Sequence, residues 1–215
     1  QFRWGDMPGN LLPQPFYSPE EAAALRLSSK SHWDVPIEIG RRTVHLLASH
    51  PTPPTFDGPE DRNGRRNHDE IRFWADYITP KKSSYVYDDK GRKGGLEPGQ
   101  SFVIAGDQNA DPNDGDSYQN AARQLTEHPL INAKSFPSSK GAVEAAQLQG
   151  GANATHESDP KFDTADFADT APGNLHADYV LPRVGTKIVD SGVFWPVKAD
   201  PLSRLSGVYD PAWAA

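Results

Sequence analysis

Four polar residues stand at the ends of apolar runs, where they could act together on a phosphate ester: His50, Asp107, Asn109 and Asp178. The run Thr43–Ala48 delivers Ser49 and His50. The run Ser101–Ala105 empties into Gly106-Asp107-Gln108-Asn109, and Asp178 opens the run Asp178–Leu181. Strand ends that meet loops are where α/β layers build their sites. Phosphoester hydrolysis needs a hard cation to neutralise charge, a polarised water, and a group that orients it or takes its proton. Carboxylate and amide oxygens suit Mg²⁺, Mn²⁺ or Ca²⁺. Asp107 and Asn109 are therefore candidate metal ligands, and Asn109, two residues on, faces the same side.

Each residue also has a plain structural reading. His50 can end a strand and bond a nearby carbonyl. Asp107 and Asn109 can be loop caps, since Asx side chains favour such turns. Asp178 can be a strand residue paired with an arginine. Arg62, Arg65 and Arg66 can grip phosphate near a helix N-terminus, or pair with Asp57, Glu60 and Asp61. The acidic stretch Asp107, Asn109, Asp111, Asn113, Asp114, Asp116 resembles a calcium loop, but it lacks the glycine spacing and terminal Glu of an EF-hand.

The elements that must position these groups can be read from pattern. Ser18-Pro19-Glu20-Glu21 is a helix start, with a cap, a proline at the first helical position and acids at the positive dipole end. That helix is expected to end near Leu27. Val35, Ile37 and Ile39 alternate with polar residues, and Gly40-Arg41 turns into Thr43–Ala48, a hairpin. Pro51-Thr52-Pro53-Pro54 cannot continue a sheet. A helix is expected from Asn67 to Ile78, with Asn67 as cap and Glu70 completing a capping box. Its apolar stripe is Ile71, Trp74, Ala75 and Ile78. Ser117 starts a third helix with Tyr118, Ala121, Ala122 and Leu125 inward, and Ser139 a fourth that closes at Gly150-Gly151. Asp178–Leu181 and Lys187–Asp190 are further strands. The stretches 85–100 and 151–173 read as loops, and the tail from Pro196 has no clear period.

The bulk numbers fit one domain over residues 1–215, of mixed strands and helices. Hydrophobic residues make up 36% of the chain and its mean hydropathy is −0.69. That still leaves compact apolar clusters, while 20 Pro and 18 Gly point to long ordered loops. A net charge of −7 offers no basic patch, so nucleic acid stays possible as a substrate but not through charge alone. Without cysteine there can be no disulfide, thiolate zinc site or cysteine nucleophile. No apolar run is long enough to span a bilayer. The chain opens at Gln1 with no initiator Met, and reads as processed or trimmed.

The run Phe102–Asn109, ending Gly106-Asp107-Gln108-Asn109, resembles the "GDxN" strand end of the endonuclease/exonuclease/phosphatase superfamily. Ala48-Ser49-His50-Pro51 resembles that family's strand ending in a "THL"-type histidine. His176-Ala177-Asp178-Tyr179-Val180-Leu181 resembles its "xDYxL" strand. The three motifs stand in family order, and the stretches 50–67 and 151–195 look like a secreted bacterial branch. The resemblance implies a divalent-metal phosphoesterase acting on a phosphate-ester substrate, with Mg²⁺ or Mn²⁺ as cofactor. His50 would contact the scissile phosphate. Asp107 would activate water or bind metal, and Asn109 would orient it. Asp178 would hold a catalytic histidine in its working tautomer. The implied location is secreted or periplasmic, which a cysteine-free chain suits.

The departures shape the expected architecture. The family's catalytic histidine sits in a C-terminal "SDH" triplet, which Ser206–Ala215 does not contain. Its early Asn and metal-binding Glu belong to an N-terminal half that this sequence does not resemble. The expected fold is the family's α/β sandwich of two packed β-sheets flanked by helices, to which this chain contributes mainly one sheet. An open inner face should then pack on a second polypeptide or a further segment. The alternative is a non-catalytic structural or binding subunit that keeps the fold and has lost the chemistry.

Overall fold

In the computed structural model, which describes residues 2–206, the longest element is a helix, α2, Arg62–Tyr77. The expected apolar stripe is its buried face: Ile71, Trp74 and Ile78 are in the core, with Ala75 packed beside them. Its start is earlier than expected. Asp61, in a left-handed conformation, precedes the first turn, so Asn67 and Glu70 lie inside the helix and are buried, not capping it. The capping-box pattern misleads here because both side chains are spent on distant loops.

Four other elements follow the sequence closely. Helix α1, Pro19–Ala24, has a complete capping box between Ser18 and Glu21, although it stops short of Leu27. Strands β1, His32–Ile39, and β2, Arg42–Ser49, form the hairpin, with Ile39 opposite Arg42 and Gly40 at φ 64° in the turn. Strand β3 is Ser101–Asp107.

The third expected helix is broken. Gln119 and Asn120 take positive φ in a short 3-10 turn, Tyr118–Asn120, and only Arg123–Thr126, α3, is α-helical. Helix α4, Lys140–Gln149, is capped by Ser139 and closes at Gly150. Strand β4, Asp178–Pro182, completes the sheet. Lys187–Asp190 is not a strand: it has no ladder partner among the described residues, and Val189 is 87% exposed. β-prone residues need a neighbouring strand to become one. The absent C-terminal triplet concerned Ser206–Ala215, which beyond Ser206 lies outside the described residues.

The fold is α/β. Among the described residues one sheet runs in the order β1-β2-β3-β4, antiparallel, then parallel, then antiparallel. The parallel step from β2 to β3 is the crossover that contains α2. Leu47, Phe102, Ile104, Tyr179 and Leu181 share the core with Ile71 and Trp74 of α2. With a side-chain period of two, the opposite face carries Trp33, Val35, Ile37 and Ile39, all exposed, beside Val180. Along β1 that face is apolar and, among the described residues, open to solvent.

Candidate active site

The site lies at one end of the sheet, where the β2–β3 ladder has already stopped. Its last pair is Ala48 with Ala105. His50 and Asp107 each stand two residues further on. Strand β2 reaches this end because Ser49 is anchored: its hydroxyl accepts a 2.8 Å bond from the Trp74 indole. Strand β3 can lie against it because residue 106 is glycine. Gly106 has φ 143°, and a Cβ there would stand 2.0 Å from the Ser49 carbonyl oxygen.

The imidazole of His50 then comes within 3.4 Å of the Asp107 carboxylate, Nε2 to Oδ2. Both are open to solvent, the histidine side chain 48% exposed. The other Asp107 oxygen accepts the Asn109 backbone N–H at 2.7 Å, an Asx turn that holds Asn109 at φ 49°. The Asn109 amide nitrogen donates to the Pro51 carbonyl at 3.0 Å, back on the histidine loop. Asp178 is the direct cross-strand partner of Asp107. Its backbone N–H, like that of Ala177, donates to Thr164 Oγ1. Partial burial pushes the Asp107 carboxyl above its ordinary value, and the neighbouring Asp178 charge adds to this. The Asn109 N–H, and then the His50 and Lys30 side chains, pull it back. Two carboxylates and an imidazole at one strand end attract a proton or a cation and can hold a polarised water.

Three of the four expected residues, His50, Asp107 and Asn109, meet through direct contacts, and Asp178 joins them through strand register. The arginines are engaged elsewhere. Arg62 pairs with Glu60. Arg65 donates to the Glu60 carbonyl at 3.0 Å and lies over the Tyr118 ring. Arg66 donates to the carbonyls of Leu27 and Arg26. These contacts close loops around the start of α2 and do not run to His50 or Asp107.

The donor set within the described residues is partial. Among the described residues no three His, Asp or Glu side chains are grouped to hold an ion. Asp107 gives one oxygen to the Asn109 N–H and the Asn109 amide nitrogen donates to Pro51, so the second Asp107 oxygen and the Asn109 Oδ1 are the candidate ligand atoms. The calcium-loop reading gives way: Asp111 accepts N–H bonds from Asn113, Asp114 and His176, and Asp114 from Glu157 and Ser158. These carboxylates staple two loops together.

Sequence reasoning missed Asn67, Glu70 and Thr164. Asn67 and Glu70 carried a signal that was assigned to capping. Thr164 carried none, because it sits in an irregular stretch whose path no local pattern sets.

A family model described as "Endonuclease/Exonuclease/phosphatase family" matches residues 11–206, and the chain belongs to that family. No curated protein matches it. Among solved structures it is similar to a β-hairpin deletion mutant of beta toxin from Staphylococcus aureus, at 11% identity and a TM-score of 0.42. That match covers 77% of this chain and 47% of the toxin. It is also similar to sphingomyelinase C from Streptomyces griseocarneus, at 14% identity and a TM-score of 0.37, over 73% of this chain and 43% of that one. The chain thus spans less than half the length of either.

Proposed function

We propose that this chain carries one half of a phosphoester hydrolase site, of the nuclease, phosphodiesterase or phosphatase class. The observation that carries the reading is the 3.4 Å approach of His50 to Asp107 at adjoining strand ends. An exposed imidazole there can donate to a non-bridging phosphate oxygen, where charge builds in the transition state. Asp107, whose carboxyl burial raises above its ordinary value, is the better proton acceptor for an attacking water. Asn109 fixes the carboxylate's orientation through its N–H. Asp178, beside Asp107, is placed to orient a histidine brought in by other polypeptide.

Family membership supports a divalent cation, Mg²⁺ or Mn²⁺ with Ca²⁺ also open. Asp107 and Asn109 could each supply a ligand, with further ligands from other groups. The net charge of −7 weighs against sequence-independent nucleic-acid binding through charge alone. No helix among the described residues is long and apolar enough to cross a membrane. A secreted or periplasmic setting belongs to the same reading. So does a further layer of polypeptide on the uncovered sheet face, which its exposed Trp33, Val35, Ile37 and Ile39 support.

The second reading, a non-catalytic binding subunit, draws on the incomplete ligand set. The test is hydrolysis of bis(p-nitrophenyl) phosphate and p-nitrophenyl phosphate by the full-length protein, with Mg²⁺ or Mn²⁺ and with chelator. Asp107→Ala is expected to cost about a hundredfold or more in rate, as loss of a general base does. Equal rates for wild type and Asp107→Ala would remove the hydrolase reading and leave the binding subunit.

A further inference from the structure

We infer that Asn67 is the positioning residue of this site, locking the loop of His50 to the loop of Asp107. The inference rests on the hydrolase reading for its catalytic consequence, but its structural part stands alone.

Past Ala48 and Ala105 no ladder bond sets the distance between the two strands, yet the reacting groups sit beyond that point. Strand β4 holds Asp107 from its other side, through Asp178 and the Gln108 N–H bond to the Ala177 carbonyl, while the His50 loop is tied to the Asp107 loop by side chains. The Asn67 amide nitrogen donates to the Thr52 carbonyl at 2.8 Å and to the Gln108 carbonyl at 2.8 Å. Thr52 lies two residues after His50, and Gln108 one residue after Asp107. One NH₂ group therefore bridges the two loops from below. Glu70, one turn further along α2, accepts the Thr52 N–H at 2.7 Å. Positions three apart on a helix share a face, so a single turn of α2 grips both polar groups of the Thr52 peptide. Asn109 closes the upper side through Pro51.

The amide nitrogen is the atom that ties Asn67 to its surroundings. The Oδ1 is buried without a hydrogen-bond partner, while the residue as a whole is 0% exposed. An unpaired buried acceptor opposes folding, and an apolar residue would avoid it. What the asparagine contributes in exchange is two donors aimed at two loops. A misplacement of about 1 Å between reacting groups can cost about a hundredfold in rate. Loss of this clamp should therefore appear in turnover more than in substrate binding.

The test compares wild type, Asn67→Ala, Asp107→Ala and Leu125→Ala in the full-length protein. Leu125→Ala is a buried-core change away from the site that supplies a general loss of stability. On bis(p-nitrophenyl) phosphate, Asn67→Ala is expected to lower kcat by about tenfold to a hundredfold with KM little changed. Leu125→Ala should lower Tm and leave kcat near wild type. In parallel, amide hydrogen exchange of Thr52 and Asn109 should quicken by about tenfold in Asn67→Ala while the α2 amides keep their protection. If Asn67→Ala does not fold, Asn67→Ser, which keeps one donor, is expected to show a smaller shift of the same kind. Unchanged exchange at Thr52 and Asn109, or a kcat that follows Tm as in Leu125→Ala, overturns the positioning role. If wild type and Asp107→Ala turn over alike, the hydrolase reading has failed instead, and the exchange data alone decide whether Asn67 holds the loops.

Discussion

Two buried titratable residues set how stability should respond to pH. Asp163 is 2% exposed, and its carboxyl is pushed up to about 8, first by burial and then by the charges of Asp111, Asp114 and Asp159. The folded state thus holds this proton more tightly than the unfolded chain, so the stability it confers is complete below about pH 4 and fades as pH rises toward 8. His32 acts in the opposite sense. It is wedged between Phe73 and Trp74, donates through Nε2 to the Glu70 carbonyl, and is lowered by burial to about 4. Its contribution is complete above its ordinary value of 6.5 and is lost as pH falls toward 4. Between about 4 and 6.5 the two slopes oppose each other; above 6.5 that of His32 is spent, and that of Asp163 runs with that of the buried Glu70, whose carboxyl burial also raises. Thermal unfolding followed by circular dichroism should show Tm falling from pH 6.5 to 8 in wild type. Asp163→Asn, which mimics the neutral acid, should make that fall smaller. A Tm that rises over this interval in wild type would show that Asp163 is ionised in the fold.

At the scale of elements, the strand ends were legible and the polar interior was not. Alternation in Val35, Ile37 and Ile39 and the run Ser101–Ala105 announced β1 and β3, because period two is a local property of the chain. His50, Asp107 and Asp178 could be set at strand ends for the same reason. Asn67 and Glu70 could not be assigned, because a buried amide gripping two loops looks in sequence like a helix cap. The break after Ser117 was hidden as well: Gln119 and Asn120 adopt left-handed φ that their residue types do not announce. Lys187–Asp190 has strand composition, but pairing is decided by neighbours outside the segment. The junction of β2 and β3 makes the sharpest prediction. Gly106→Ala places a Cβ against the Ser49 carbonyl at a φ that disfavours side chains. Backbone strain alone should cost about 1–3 kcal/mol, and the clash should part the strand ends. Chemical denaturation is expected to show the loss, with hydrogen exchange quickening first around Ser49 and Gly106. A variant as stable as wild type would mean that the two strands can separate freely there.

The molecule as a whole inverts the usual sense of its own sequence pattern. On β1 the apolar alternates Trp33, Val35, Ile37 and Ile39 face outward. The polar alternates turn toward the helix side, where Asp34 receives the Tyr77 hydroxyl at 2.6 Å and stands 2.6 Å from His45 Nδ1. The helix side is thus bonded, and among the described residues the apolar alternates of β1 stand open to solvent. Leu46 and Val103 extend that side across the sheet by register. A contiguous apolar sheet face on a chain with net charge −7 should drive association even against charge repulsion. Sedimentation velocity on residues 1–215 alone is expected to show a sedimentation coefficient that climbs with concentration. The double substitution Trp33→Lys with Ile37→Lys should abolish that climb. It should also leave stability within about 0.5 kcal/mol, as exposed positions away from special features allow. If the wild-type chain stays monomeric at every concentration, the open face is not adhesive, and a covering layer of polypeptide loses its main support. If the lysine pair unfolds the chain instead, that side of the sheet is packed in solution and the exposed arrangement is wrong.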